Sequence, residues 1–279
     1  MRGMDFSSLK IISPRPEGRA GVCRDVHRLG GWRLARALAL ASGLALQGCA
    51  LVPPEPPREQ AVPTRLPLVF SASDKLGWEP MLLPGKLRTE FRPTQHDGRS
   101  SLEARAQGSA SMLRQRLRIE PEQLGWLRFQ WQVAQLIEGA DMTVRELEDS
   151  PVRVVLAFEG DRSRFSARNA MLNELTRSLT GEEMPYAMLM YVWSNTLPVD
   201  TVIVNPRTDR IRKIVVESGP ARLQQWLAYR RDVRADFERA FGEAPGVLQG
   251  LAIMTDSDNT RGFAQAWYGE IGLERAATD

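Results

Sequence analysis

Short apolar runs separated by turn residues make up most of the chain. The clearest run covers residues 126–133, where apolar and polar side chains alternate as they do in a strand with one buried face. Residues 152–158 and 187–193 are almost continuously apolar, which is typical of central strands covered on both faces. Ten runs in all predict strands, over residues 87–91, 101–106, 112–119, 126–133, 152–158, 187–193, 202–205, 211–217, 248–255 and 267–273.

Two segments repeat apolar residues at helical spacing. Residues 165–179 are followed by Gly181, and residues 232–241 are followed by Gly242, and a glycine is a common helix stop. The apolar face of the first helix would comprise Phe165, Met171, Leu172, Leu175 and Leu179. Because strands prevail, we predict a mainly β fold, a jelly-roll or galactose-binding-like β-sandwich with one or two helical insertions.

The N-terminal region has a different pattern. Arg33 and Arg36 precede an apolar run of about a dozen residues, too short to span a bilayer core of roughly 30 Å. Such a run after positive charges is typical of a secretory signal, and it ends in Leu46-Gln47-Gly48-Cys49, which resembles a bacterial lipobox. This resemblance implies a lipid on the sulfur of Cys49 and cleavage just before it. The alternative is an apolar helix that packs on the folded domain.

The sequence around this signal supports a division into three parts. A proline-rich polar stretch follows the cysteine, as expected of a semi-rigid tether. We therefore predict a leader with a signal peptide over residues 1–48, a tether over 49–66 and a single β-sandwich domain over 67–275. About 30 residues precede the apolar run, which is long for a leader. Val22 and Val26 are therefore alternatives to Met1 as the true start of the protein. The product would be exported and anchored facing the periplasm, with the outer membrane slightly favoured because Ala50 follows the cysteine.

Charge and composition narrow the chemistry of the predicted domain. The whole chain has a formal charge of +3, but residues 1–49 carry eight basic and three acidic side chains, so the remainder is slightly acidic. We expect no nucleic-acid partner for such a domain. Cys23, Cys49, His27 and His96 are the only cysteines and histidines. A Cys/His zinc site, a cysteine nucleophile and a structural disulfide are then unavailable to the domain, and His96 belongs to a predicted turn.

Eight short motifs are spread over most of the predicted domain. They occupy residues 77–79, 127–133, 149–153, 191–195, 216–219, 231–237, 241–245 and 253–260. The last contains Asp256-Ser257-Asp258-Asn259-Thr260 and is the most specific. Together the motifs resemble an uncharacterised bacterial family, domain of unknown function 3047. The resemblance implies an exported compact domain and brings no established activity.

The loop after the strand at 248–255 is a candidate metal site. Asp256, Asp258, Asn259 and Thr260 are oxygen-bearing residues at a strand end, and Ca²⁺ takes six to eight oxygen ligands. Their spacing does not match an EF-hand. The alternative is an Asx-rich turn whose side chains hydrogen-bond to their own backbone.

Aromatic and polar residues near strand ends are candidates for a ligand site. Aromatic rings beside carboxylates and amides suit a sugar, because the rings pack on its apolar face and the polar groups bond its hydroxyls. The predicted ligand residues are Trp126, Trp193, Asn195, Glu217 and Asp232. Trp126 is expected to be the most exposed of these, since it lies on the polar side of its strand. Further aromatic candidates are Trp78, Trp226, Trp267 and Tyr268.

Three hypotheses for function remain. The first is a lipoprotein of the cell envelope that binds a glycan without catalysis. The second is an envelope glycan hydrolase that uses paired carboxylates, for which Asp256 and Glu217 are candidates. The third is an assembly partner in the envelope. The sequence favours the first, because acidic residues are so numerous that their presence alone does not indicate catalysis.

Overall fold

The computed structural model describes residues 64–71 and 77–275, in which thirteen strands form two sheets. The strands are β1 (Leu68–Phe70), β2 (Glu79–Leu82), β3 (Glu90–His96), β4 (Arg99–Gln107), β5 (Ala110–Ile119), β6 (Leu124–Val133), β7 (Ser150–Phe158), β8 (Ala187–Ser194), β9 (Val202–Val204), β10 (Ile211–Ser218), β11 (Leu227–Asp232), β12 (Leu248–Asp256) and β13 (Phe263–Arg275). Sheet A has the order β11-β6-β13-β4-β3, with β1 also paired to β13. Sheet B has the order β2-β5-β12-β7-β8-β10-β9.

The main core lies between the two sheets. Strand β6 contributes Leu127, Phe129 and Trp131, which are buried, whereas the side chains between them point away from the core. Phe129 stacks on Tyr191 of β8 at 5.5 Å between ring centroids and on Tyr229 of β11 at 5.2 Å. Each such aromatic pair contributes about 0.5–1.5 kcal/mol beyond the burial of its area. The Phe129–Tyr191 contact joins sheet A to sheet B, whereas the Phe129–Tyr229 contact joins two neighbouring strands of sheet A.

The outer face of sheet B is also apolar. A second cluster of buried residues includes Val155, Met190, Val192 and Met254, and Met142 from the segment between β6 and β7 packs with it. Strands β7 and β8 are therefore covered on both faces, which explains why their sequences are almost continuously apolar. The predicted burial of these two strands is confirmed.

The two helices differ in how they pack. Helix α2 (Val233–Phe241) buries Val233, Phe237 and Ala240 in the main core. Helix α1 (Ala167–Thr180) exposes three apolar side chains that were predicted to share one face, with exposed fractions of 63% for Met171, 52% for Leu175 and 60% for Leu179. The helical periodicity is correct, but in this structure the face turns away from the core.

Local signals explain where the helices and one hairpin begin and end. Ser166 and Asp232 accept hydrogen bonds from the backbone N–H three residues on, and so cap α1 and α2. Gly181 and Gly242 end the helices in the left-handed conformation. The turn predicted at His96 is present as a hairpin between β3 and β4, with φ of 48° at Asp97 and 73° at Gly98.

The predicted mainly β sandwich with helical insertions is confirmed. All ten predicted strands have counterparts, although β3 begins three residues later than expected, at Glu90. The prediction missed the short strands β1 and β2 and the strand β11, whose last three residues are charged. Among residues 64–71 and 77–275, no helix is long and apolar enough to cross a membrane.

Candidate functional site

The outer face of sheet A carries aromatic and polar side chains. Along β13, Ala266 and Tyr268 point into the core, so Trp267 between them points outward. Trp267 is opposite Glu103 of β4 on one side and opposite Gln132 of β6 on the other. His96 at the end of β3 and Trp226 just before β11 also lie on this side, as the contacts below show. We call His96, Trp226 and Trp267 the aromatic cluster.

The rings of the aromatic cluster are in direct contact. His96 stacks on Trp267 with 3.7 Å between ring centroids and an angle of 1° between the ring planes. The centroid of Trp226 is 6.3 Å from that of His96. Gly269 makes room for this arrangement, because a Cβ there would lie 3.3 Å from Cζ3 of Trp226 and 3.1 Å from Cβ of Gln130. A larger residue at position 269 would therefore displace the indole.

Polar groups surround these rings, and several of them have no hydrogen-bond partner in the part of the chain that the structure describes. Arg99 donates from Nη1 to Oε1 of Gln130 at 2.9 Å, and its guanidinium carbon is 5.4 Å from the centroid of Trp226. Four of the six buried polar side-chain atoms without a hydrogen-bond partner in the described residues lie on this face. They are Nε2 of His96, Oγ of Ser101, Oε1 of Gln132 and Nε1 of Trp226. Buried polar atoms are nearly always bonded, so this concentration of unbonded ones is unusual.

Trp126 lies on the same outer face, toward the other end of β6. It is half-buried, and the guanidinium carbon of Arg230 is 3.8 Å from its ring centroid. Arg230 and Arg128 both contact Glu274, at 3.5 Å and 2.9 Å. One ring face of Trp126 is thus covered by an arginine that belongs to a surface ion-pair network.

Trp193, Asn195 and Glu217 do not come together with Trp126. Trp193 is fully buried in the core and donates from Nε1 to the carbonyl of Gly219 at 3.0 Å. Asn195 donates from Nδ2 to the carbonyl of Ile137 at 2.7 Å. These hydrogen bonds within the fold indicate a structural role for Trp193 and Asn195.

The two predicted acidic ligand residues also have bonds within the fold. Glu217 accepts from Arg222 and from the hydroxyl of Tyr229, each at 3.0 Å, and its carboxylate lowers the acidity of that hydroxyl. Burial raises the pKa of Tyr229 well above its usual range, and the negative charge of Glu217 raises it further. Asp232 is the N-cap of α2. Of the five predicted residues, Trp126 and Asp232 lie on the outer face of sheet A, where they are opposite each other on β6 and β11.

A buried ionic cluster lies on the outer side of sheet B. Arg153 of β7 donates to both carboxylate oxygens of Asp256, each at 2.9 Å, and to the carbonyl of Glu148. Lys213 is fully buried, and its Nζ is 2.6 Å from Oε1 of Glu148. Arg207 donates to the other oxygen of Glu148 at 2.6 Å. Each buried cation therefore has an anionic partner, which charges in a core require.

Burial changes the pKa values of two residues in this ionic cluster. It lowers the pKa of Lys213 to about 8, because the charged ammonium loses water and lies near the like charge of Arg153. It raises the pKa of Asp256 to about 6, against the opposing effect of the Arg153 guanidinium. Residues that share these bonds are fixed in place, which favours a structural role for the cluster.

The predicted metal loop is bonded to Asp149. The carboxylate of Asp149 accepts from the backbone N–H of Asn259 at 3.1 Å and from the N–H and hydroxyl of Thr260, each at 2.7 Å. Asp258 is paired with Lys86. Carboxylate oxygens of Asp149, Asp256 and Asp258 lie within 4.8 Å of one another, a spacing a cation could bridge, but each already has a donor or a cation beside it. These bonds favour the alternative of a turn.

Comparison with known proteins identifies the family of this chain and finds solved structures that are similar to it at low identity. The chain is a mainly β sandwich protein, and residues 76–272 match the model of the family described as a protein of unknown function, DUF3047. It belongs to that family, as its motifs predicted. No curated protein matches the sequence.

Three solved structures are similar at low identity. The first is the glycoside hydrolase domain of Endo-D from Streptococcus pneumoniae R6, at 11% identity and a TM-score of 0.30, covering 72% of this chain and 22% of that one. The second is the xylan-binding module CBM86 from Roseburia intestinalis, at 11% identity and a TM-score of 0.29, covering 76% and 97%. The third is a loop-swap mutant of Xyn11A from Necallimastix patriciarum, at 10% identity and a TM-score of 0.28, covering 76% and 100%. Functional proposals for this chain must therefore rest on its own residues.

The sequence patterns identified some residues of the outer face of sheet A and missed others. Trp126, Trp226 and Trp267 are among the aromatic candidates, but His96 was assigned to a turn. Its stacking on Trp267 depends on β4 lying between β3 and β13, which no local pattern reveals. Asp149 was likewise not connected with the loop at 256–260, because the two segments are more than 100 residues apart in the chain.

We predict that Arg153→Met destabilises the fold by about 3–5 kcal/mol near neutral pH, because it leaves the Asp256 carboxylate buried without a counter-ion. The pKa of Asp256 in the folded protein is already above its usual value, and loss of Arg153 raises it further. A raised pKa favours folding at low pH, so the loss should be smallest below about pH 4 and grow as the pH rises through about 6. Urea unfolding at both ends of this pH range measures the stability lost through Arg153→Met.

The double variant Arg153→Met with Asp256→Asn is the control. It removes both charges, so most of the stability at neutral pH should return. An Arg153→Met protein that loses the same stability at low and neutral pH would contradict an ionic role for the pair.

The calcium prediction is tested by thermal melting in millimolar Ca²⁺ and after EDTA. Because Arg153, Lys86 and the N–H groups already bond the three carboxylates, we expect no change in melting temperature. A rise with Ca²⁺ that EDTA reverses, and that Asp258→Asn abolishes, would instead establish the metal site. Glu174→Gln on the exposed surface of α1 serves as a charge-matched control.

Proposed function

We propose that this protein is a non-catalytic, lipid-anchored domain of the bacterial cell envelope that binds a glycan on the outer face of sheet A. The observation that carries the proposal is the aromatic cluster, three rings in contact beside buried polar atoms that have no hydrogen-bond partner among the described residues. Sugars are bound by rings that pack against their C–H faces and by polar groups that bond their hydroxyls.

The position of the cluster suits an extended polymer. Phe263, Gln265, Trp267 and Gly269 follow one another along the outward side of β13, so this line spans about 20 Å at the usual rise per residue. A sheet face of this kind can hold several sugar units in a row without a deep pocket. His96 and Trp267 are held by strands β3 and β13, and Trp226 directly precedes β11, so the rings are largely fixed before binding, which lowers its entropic cost.

Non-catalytic binding is favoured over the hydrolase alternative by the state of the candidate carboxylates. Asp256 is buried and bonded through both oxygens to Arg153. Glu217 is buried and bonded to Arg222 and Tyr229. A glycosidase needs one carboxyl group that can donate a proton to the substrate and a second that faces it across about 5–10 Å. Neither residue is free to meet that requirement.

We predict that Trp226→Ala and Trp267→Ala each weaken glycan binding by about tenfold or more, since ring contacts dominate interfaces of this type. The ligand is first selected by screening the purified domain on a glycan array that includes envelope polysaccharides. Titration calorimetry then compares the variants. Phe165→Ala is the matched control, because Phe165 stacks on Tyr186 away from this face. Unchanged affinity in both tryptophan variants, or no binding to any glycan, would refute the proposal.

The anchor is a second part of the proposal. Cys49 lies outside the described residues, and the support for its lipidation is the lipobox-like Leu46-Gln47-Gly48-Cys49. Cys49→Ser should move the protein from the membrane fraction to the soluble fraction, and the mass of the mature N-terminus should lose its diacylglycerol. Cys23→Ser is the control, since it lies upstream of the predicted cleavage and should change neither result. A Cys49→Ser protein that stays in the membrane fraction excludes this anchor.

A further inference from the structure

A basic cleft adjoins the aromatic cluster on the same face of sheet A. It has a volume of about 520 Å³ and is lined by, among others, Arg88, Glu90, Arg92, Arg105 and Phe263. Its lining residues include three arginines and one glutamate, so the formal charge of the cleft is +2. Such an excess of fixed positive charge attracts anions.

The arginines of the cleft are incompletely neutralised. Arg92 is paired with Glu90 at 2.6 Å, which uses the one carboxylate of the lining. Arg105 lies 3.8 Å from Glu103, which accepts a much shorter bond of 2.6 Å from Gln265. In the part of the chain that the structure describes, Arg88 has no carboxylate within ion-pair distance. Guanidinium groups are therefore available at the cleft.

Strand register connects the cleft with the aromatic cluster. Arg105 is opposite Gln265, and the next outward pair along the same two strands is Glu103 with Trp267. The two positions are separated by two residues, or about 7 Å along the strand. Phe263 forms the apolar wall of the cleft, with the guanidinium carbon of Arg105 at 5.8 Å from its ring centroid. Rings and cations thus lie along the same two strands, and the one carboxylate between Arg105 and Trp267, that of Glu103, is bonded by Gln265.

The other end of this surface also has a cation without a carboxylate. Arg99 bonds the neutral amide of Gln130 and lies over Trp226. No carboxylate of residues 64–71 or 77–275 is in ion-pair distance of it. An arginine whose only side-chain bond is to an amide keeps donors that can form a bidentate pair with a carboxylate.

We infer that the glycan bound on this face is acidic, a polysaccharide whose sugar units carry carboxylates. This inference rests on the proposed function and adds the chemical class of the ligand. Arg88 and Arg105 at one end and Arg99 at the other receive the carboxylates, while Phe263, Trp226 and Trp267 contact the sugar rings. A carboxylate on a pyranose presents its charge at the edge of the ring, so one unit can use a guanidinium and an aromatic face together.

Calorimetric titration of the whole chain with matched polymers tests the inference. Polygalacturonate, alginate and hyaluronate are each compared with their carboxyl-reduced, neutral forms, and polyglutamate serves as an anionic polymer without sugar rings. At least one acidic polysaccharide should bind ten times or more tightly than both its neutral form and polyglutamate. Its affinity should fall as salt is added, because the cations lie at the protein surface.

Variants then locate the contact. Arg88→Gln should weaken binding of the acidic polymer about five- to tenfold and leave the weak binding of the neutral form unchanged. Arg99→Gln should weaken binding of the acidic polymer about five- to tenfold, and more than it weakens binding of the neutral form, since Arg99 also lies over Trp226. Arg177→Gln on α1 removes the same charge from another surface and should have no effect. Arg99→Lys should restore only part of the affinity, since an ammonium cannot form the bidentate pair.

The outcomes separate this inference from the proposed function. Equal affinity for an acidic polymer and its neutral form overturns the inference and leaves glycan binding intact. Equal affinity for polyglutamate overturns it too, because charge alone would then account for binding. Wild-type affinity in both arginine variants places the carboxylates elsewhere and also overturns it. Failure of every polysaccharide, acidic and neutral, rejects the proposed function together with the inference.

Discussion

Burial of apolar side chains between the two sheets determines where nearly every other side chain lies. A strand turns successive side chains to opposite faces, so placing Phe129 and Trp131 in the core forces Gln130 outward. The same constraint on β13 buries Ala266 and Tyr268 and places Trp267 on the outer face. The aromatic cluster is thus a consequence of the core, and its rings stay at fixed positions as long as the sheets remain packed.

The two outer faces are used differently. On sheet B, apolar residues and the segment containing Met142 cover the strands, so a polar residue there has to find its partner within the protein. Arg153 and Lys213 do so through Asp256 and Glu148. The outer face of sheet A lacks such a cover in the described residues, and its arginines and indoles meet solvent. A ligand from solution therefore has access to sheet A, whereas the charges on sheet B are already neutralised.

Sequence patterns predicted the core well because burial leaves a periodic trace. The alternation in β6 and the continuous apolar runs of β7 and β8 were read correctly for that reason. Strand β11 was missed because it is an edge strand of sheet A whose last three residues are charged. Helix α1 shows a different limit: periodicity tells which residues share a face, but not whether another element covers it.

The candidate site was harder to predict because it is assembled across strands. Trp193 was taken as a ligand residue although its run is apolar on both sides, a pattern that already indicates a covered position. His96 and Arg99 flank a hairpin turn and look like turn residues until the register brings them beside Trp267 and Trp226. Local sequence does not encode that register in a readable form, since it depends on which strands become neighbours.

The same physical distinction separates binding from catalysis in this fold. A carboxylate that works as an acid or base has to exchange a proton with substrate, so it cannot also be the permanent partner of a buried arginine. Asp256 already has that structural role, and removing Arg153 to free it would cost about 3–5 kcal/mol, a large part of the roughly 5–15 kcal/mol that stabilises a typical domain. Recognition of a sugar makes no such demand, because rings and guanidinium groups act without changing protonation. The outer face of sheet A provides rings and cations of this kind, held by the strands that the core has already fixed.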